Sequence, residues 1–110
     1  MATPAVGAVV LVRFPFSDLS QSKLRPAVVL ADAGRGDYVL YQVTSKVYAD
    51  PSAIELCDEH FASGSLHRVS YARPGKLFTA NETLIAREVA TLKDATRAAI
   101  VDVLVQMLRM

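Results

Sequence analysis

Cysteine is almost absent: Cys57 is the one thiol in 110 residues, which excludes an internal disulfide framework and accords with a reducing compartment. No excess of charge exists either, because 12 Lys and Arg stand against 11 Asp and Glu for a net charge of +1. The global field therefore cannot hold a polyanion, and any nucleic-acid site has to be a local basic patch. Long hydrophobic runs are missing. The early apolar run Ala8 to Val12 has no basic segment before it and stops at Arg13, which argues against a signal peptide or a membrane span and makes the cytoplasm the expected address. There is no HExxH, no Cys-x-x-Cys, no GxGxxG and no Walker loop, so metal and nucleotide readings start without a motif and no cofactor is expected. Internal repeats and low-complexity segments are absent as well.

What is present is apolar content, 52% of the chain, enough for a single domain over residues 1–110 that buries roughly two-thirds of its unfolded surface. The chain is organised around Phe14 to Pro26, FPFSDLSQSKLRP, a polar loop between two β-prone runs. Gly7 to Arg13 is β-branched without helical period and reads as a buried strand. Pro26 then opens a second strand, Ala27 to Ala31, from the first position that proline is allowed. Gly34 to Asp37 is a turn, Tyr38 to Val43 a third strand antiparallel to the second, and Ala53 to Cys57 a short fourth, in meander order.

Asp58 to Leu66 is polar and reads as loop, with strands five and six at Arg68 to Ala72 and Lys76 to Thr79 and a bend or bulge at Pro74-Gly75 between them. Asn81 caps a short helical turn to Ile85, and Arg87 to Ala90 adds a last strand segment. Thr91 to Asp94 has capping-box spacing, and Ala95, Ala99, Ile100, Val103, Leu104, Met107 and Leu108 recur at intervals of a helical face. The expected architecture is mainly β: a small, twisted, partly closed antiparallel barrel with a C-terminal α-helix packed on it.

Few residues offer chemistry. Cys57 with His60 is the one local cluster suggesting a nucleophile or ligand pair, but two ligands do not make a zinc site, and a strand-end Cys beside a loop His explains them as well. Arg35 to Asp37 is hairpin chemistry, and His67 is a candidate acid or base that could equally be a surface residue. Arg25 starts strand two and Thr44-Ser45 end strand three, so an antiparallel hairpin brings guanidinium and hydroxyls to one edge. Arg13 should reach the same edge, with the Ser17 to Lys23 loop over it. Such a set suits a phosphate, since arginine binds its oxygens through paired donors and stabilises charge growing on them. Spacing alone leaves a solvated strand-end cation equally open.

Three ordered blocks, GAVVLVRFPFSDLSQSKLRPAVVL, YVLYQVTS and SYARPGKLFTAN, resemble the PemK/MazF family of bacterial type II toxin-antitoxin toxins, over about Gly7 to Leu92. The first block is the most specific. The resemblance implies an SH3-like or plasmid-maintenance-toxin barrel, a homodimer, and metal-independent cleavage of single-stranded RNA to 2′,3′-cyclic phosphate and 5′-hydroxyl ends, inhibited by a cognate antitoxin. It puts the catalytic arginine on Arg25 and its hydroxyl partner on Thr44, with Ser70 and Lys76 as weaker RNA contacts. The flexible first loop falls on Phe16, Ser17, Asp18, Ser20, Gln21, Ser22 and Lys23, joined as substrate-binding candidates by Arg13, Ser45 and Lys46. Phe14, Phe16 and Tyr71 could stack on bases, although aromatics beside strands commonly fill barrels. Ala90 replaces the glycine that many relatives carry before the late Thr-Leu pair. Two other functions remain: a same-fold toxin that binds DNA gyrase through the C-terminal helix, and a barrel that binds partners without catalysis.

Overall fold

The computed structural model describes residues 4–15, 22–46 and 53–110. Strand β1 is Ala8–Pro15, β2 Ser22–Gly34, β3 Asp37–Thr44, β4 Ile54–Leu56, β5 Phe61–Gly64, β6 Ser70–Asn81 and β7 Ile85–Leu92, followed by helix α1, Asp94–Leu108. One antiparallel sheet runs β4-β6-β3-β2-β1-β7-β5 and curls into a half-barrel, so the expected mainly β fold with a C-terminal helix is present. No helix among the described residues is long and apolar enough to cross a membrane.

The unbroken apolar character of the first strand has a simple cause, which is that both faces of the sheet centre are covered. Val9, Val28, Tyr41, Val43, Leu56, Ala72 and Ile100 form one buried cluster, while Ala8, Val10, Val12, Ala27, Val29 and Leu40 form the other. Successive residues of β1 therefore serve different cores, and no polar alternation is left to see. The β2–β3 hairpin turns through Arg35 and Gly36, both at positive φ (58° and 80°), the conformation that matches the twist of paired strands.

Beyond the third strand the meander gives way. β3 pairs with β6, not β4, and β4 lies outside β6. A strand of 12 residues offers β3 a full ladder where the 3 residues of β4 cannot, so β6 takes the place beside it. The two strands expected at 68–72 and 76–79 are one strand, since Tyr41 pairs with Leu77 and Gln42 with Arg73, leaving 74–76 as a bulge. Proline is tolerated there because a bulge needs no ladder donor. The stretch expected as loop after Cys57 instead forms a 3-10 turn, Asp58–His60, and then β5. Only Phe61, 7% exposed, enters the core from β5, and Ala62, Ser63 and Gly64 are exposed, so the segment shows no strand period.

The helix start also differs. Thr91 belongs to β7, pairing with Ala8 and Ser63, and α1 begins at Asp94 after Lys93 with no side-chain cap. Pairing on both sides outweighs the hydrogen bond that a capping threonine would add. On α1 the buried residues are Thr96 and Ile100, with Val103, Leu104 and Met107 half-buried, while Ala95, Ala99 and Leu108 are exposed. The Asn81 cap is present, its Oδ1 accepting from the Thr83 N–H at 3.1 Å.

Two features of the core make measurable predictions. Tyr41 is 0% exposed and its hydroxyl has no hydrogen-bond partner among the described residues, while burial pushes its pKa far up. Tyr41→Phe removes an unsatisfied polar group and should raise stability by about 1 kcal/mol in urea unfolding; a clear loss would mean that the hydroxyl is bonded after all. Gly64 has φ 73° and packs so closely on β7 that a Cβ would overlap the Val89 carbonyl. Gly64→Ala should therefore destabilise by more than about 1 kcal/mol in the same measurement.

Candidate functional site

Proline in a central strand removes a ladder donor, and β2 shows where that donor is lost. The Val29 carbonyl accepts from the Gly7 N–H at 2.9 Å, so Val29 directs its backbone polar groups towards the β1 side. With a period of two, Val28 and Pro26 direct theirs towards β3. Pro26 has no N–H to give, and the β2–β3 ladder ends one residue before it, at Ala27↔Gln42. β2 itself continues along β1 to Pro15↔Ser22, and β3 continues along β6 to Thr44↔Tyr71. Proline is thus inside β2, where the sequence suggested a strand start, and Arg25 is a strand residue opposite Val12.

A cleft of about 400 Å³ opens where the two strands part, lined from β2 by Leu24, Arg25 and Pro26, from β3 by Val43 and Thr44, and by Ser45 just beyond it. Extending the Ala27↔Gln42 register by two residues sets Arg25 opposite Thr44. Leu11, Leu66, Arg68 and Ser70 complete the wall. Thr44 Oγ1 accepts from the Lys46 N–H at 3.2 Å, which orients the side chain and leaves its hydroxyl proton to donate elsewhere. Ser70 is only 3% exposed, and its Oγ donates to the Arg68 carbonyl at 3.2 Å. Two guanidiniums, three hydroxyls and an apolar floor can hold a phosphoryl group and stabilise charge on its oxygens.

Of the residues singled out from sequence, Arg25, Thr44, Ser45 and Ser70 meet in this cleft. Arg13 does not line it; it is exposed and pairs with Leu24. Strand alternation puts it on the opposite face from Arg25, the reason the expected approach fails. Lys46 contributes through its backbone N–H, and Lys76 is exposed on the β6 bulge, outside the lining. Tyr71, half-buried, pairs directly with Thr44. Phe16, Ser17, Asp18, Ser20 and Gln21 lie outside the described residues; Ser22 and Lys23 enter as the first backbone positions of β2, as Phe14 does near the end of β1. Arg68 was missed as a site residue because it reads as the first residue of a strand, whereas it precedes β6 in a connecting loop.

A second cleft, of about 560 Å³, adjoins the first and is lined by Cys57, Asp58, Glu59, Ser65, His67, Arg68 and Val69. His67 lines this second cleft and not the one that holds Arg25 and Thr44. Ligand atoms of Cys57, Glu59 and His60 lie within 4.8 Å of one another, so of the two neighbouring acids that the sequence offered beside Cys57 and His60, Asp58 and Glu59, it is Glu59 that joins them. Two of the three are engaged in holding the turn: His60 Nδ1 accepts from the Cys57 N–H at 2.8 Å, and the thiol donates to Glu55 Oε1 at 3.1 Å.

The family comparison bears on this arrangement. Residues 5–108 match the sequence pattern of the PemK-like, MazF-like toxin of the type II toxin-antitoxin system. The chain belongs to that toxin family. No match was found among curated proteins. Among solved structures, a MazE-MazF complex from Deinococcus radiodurans superposes with a TM-score of 0.79 at 21% identity, covering 100% of this chain and 99% of the other. The Mycobacterium tuberculosis toxin MazF-mt6 gives 0.72 at 12% identity over 94% and 97%. A mycobacterial endoribonuclease in complex with its cognate antitoxin gives 0.71 at 17% identity, over 100% and 97%. At these identities the likeness establishes a shared fold, a PemK/MazF-like one.

In this PemK/MazF-like chain the hydrogen bond to Glu55, partial desolvation and the Glu55, Glu59 and Asp58 charges all push the Cys57 thiol up from its ordinary pKa. Less thiolate is then present near neutral pH, so Cys57 should react slowly with iodoacetamide. Glu55→Gln should speed that alkylation several-fold at pH 7.5, read by mass spectrometry of the intact chain; an unchanged rate would show that Glu55 does not control the thiol.

Proposed function

We propose that this chain is an endoribonuclease toxin that cuts single-stranded RNA and arrests growth until a cognate antitoxin binds it. The observation that carries the reading is the cleft holding Arg25, Thr44, Ser45 and Ser70 at the gap below Pro26. Membership of a toxin family, and the neighbour described as an endoribonuclease with its cognate antitoxin, support it. A homodimer working in the cytoplasm is part of the proposal, and exposed apolar side chains, Leu24, Val69, Leu77 and Leu84 among them, are open to contact with a second copy.

RNA carries its own nucleophile, so the reaction needs positioning, charge stabilisation and two proton transfers, and no metal in the proposed route. The 2′-oxygen attacks the adjacent phosphorus and releases its proton to solvent water as the P–O2′ bond forms, and the P–O5′ bond breaks. Arg25 holds the non-bridging oxygens as they gain charge and can supply a proton to the departing 5′-oxygen, regaining one from solvent. Thr44, its oxygen already accepting from Lys46, donates its hydroxyl proton to the phosphate and orients it. The products are a 2′,3′-cyclic phosphate and a 5′-hydroxyl.

Purified protein incubated with mixed-sequence RNA in EDTA should yield fragments with those ends, mapped by sequencing. Arg25→Ala should slow cleavage by about 100-fold or more, the usual cost of removing a group that stabilises transition-state charge. Intact RNA with the unaltered protein, or cleavage indifferent to Arg25→Ala, would overturn the assignment.

A further inference from the structure

Arg68 lines both clefts, standing at the junction between the Arg25–Thr44 cleft and its larger neighbour. Its position is built with care. Ser65 Oγ donates to Asp58 Oδ1 at 2.8 Å and accepts from the His67 N–H at 2.9 Å, tying the loop before β6 to the turn after β4. His67 takes φ 61°, a left-handed conformation that residues with a Cβ seldom adopt and that tends to persist where positioning matters. On the other side the Arg68 carbonyl accepts from Ser70 Oγ. The exposed guanidinium thus projects from a backbone restrained before and after it, and among the described residues it makes no ion pair or hydrogen bond.

From this geometry we infer that Arg68 binds the phosphate next to the scissile one, and that the adjoining cleft receives the nucleoside which that phosphate carries. The inference rests on the proposed RNA cleavage. A strand whose reacting phosphate sits between Arg25 and Thr44 must lead its next phosphate out along a wall of the same cleft, and Arg68 is the cation on the wall shared with the second cleft. Its paired donors match two phosphate oxygens. The about 560 Å³ beyond it is of the size that holds a small organic ligand. Asp58 and Glu59 in that lining repel a further phosphate and accept hydrogen bonds from base N–H groups or a 2′-hydroxyl, so a nucleoside fits there and a second anion does not. Arg68 is accordingly a positioning residue, separate from the charge stabilisation given to Arg25.

The test uses DNA oligonucleotides with a single ribonucleotide at the mapped cleavage site, made with all phosphodiesters or with one neutral methylphosphonate at the linkage on either side of the scissile bond. Arg68→Ala should raise KM about tenfold on the all-phosphodiester substrate with kcat within about twofold, reduce the salt dependence by about 0.7 of a log unit per log unit of salt, and be largely rescued by Arg68→Lys. With the methylphosphonate at one of the two positions, the unaltered protein and Arg68→Ala should become equal. A penalty that persists with both neutral substrates, or no penalty on any, overturns the inference. If the unaltered protein cuts no RNA at all, the proposed function falls, and fluorescence anisotropy with a mixed-sequence single-stranded oligonucleotide still decides whether Arg68 holds a phosphate: equal affinity and salt slope for the unaltered protein and Arg68→Ala overturn that.

Discussion

A missing backbone N–H governs the site. Pro26 directs its polar edge towards β3, where every other residue type would offer a donor, and the ladder between the two central strands ends beside it. Both strands remain anchored on their outer sides, β2 to β1 and β3 to β6, so the sheet does not unravel and only its seam opens. The residues on either side of the seam, Arg25 and Thr44, keep strand geometry without being closed over by a ladder between them. A loop-borne arginine would have to lose far more freedom to reach the same place. Arginine followed by proline is therefore one device: the proline makes the opening and the arginine occupies it.

The seam can open at low cost because the rest of the sheet is held from both faces. Two buried clusters share the strands, with Val9, Val28 and Tyr41 facing one and Val10, Ala27 and Leu40 facing the other. Burial of this kind, worth roughly 1.5–3 kcal/mol for each large aliphatic side chain, concentrates stability at the centre and leaves the strand ends free to serve chemistry. The Tyr41 hydroxyl, without a hydrogen-bond partner among the described residues, belongs to the first cluster, a local cost that the surrounding apolar contacts carry.

Much of this was legible in the sequence, for identifiable reasons. Runs of β-branched residues marked the central strands, the Gly34 to Asp37 turn joined β2 to β3, and Arg25 and Thr44 followed from hairpin adjacency and from the family motifs. Legibility failed where non-local pairing decided the outcome. Nothing in the three residues of β4 says that a later strand will insert beside β3, and β5 carries a single core anchor in Phe61. Thr91 had the local grammar of a helix cap but was taken by strand pairing on both sides. The place of Arg68 on two cleft walls could not be recognised, because clefts are assembled from segments far apart in the chain. The lysine of the β6 bulge shows the converse, a residue placed by motif correspondence that the bulge carries away from the cleft lining.

The loop that carries Arg68 has firm moorings at both ends. Gly64, whose lack of a side chain lets β5 lie against the β7 backbone, fixes one end, and Ser70, the first residue of β6 and buried, fixes the other. Between them stand five residues, Ser65 to Val69, of which Leu66 alone packs on a core cluster, while all five line the walls of the clefts. Such a segment behaves as an exchangeable insert: its residues can drift and reshape the walls of both clefts, while the moorings keep the scaffold and the seam below Pro26 unaware of the change. Descendants of one fold could in this way diverge in what they recognise long before they diverge in how they are built.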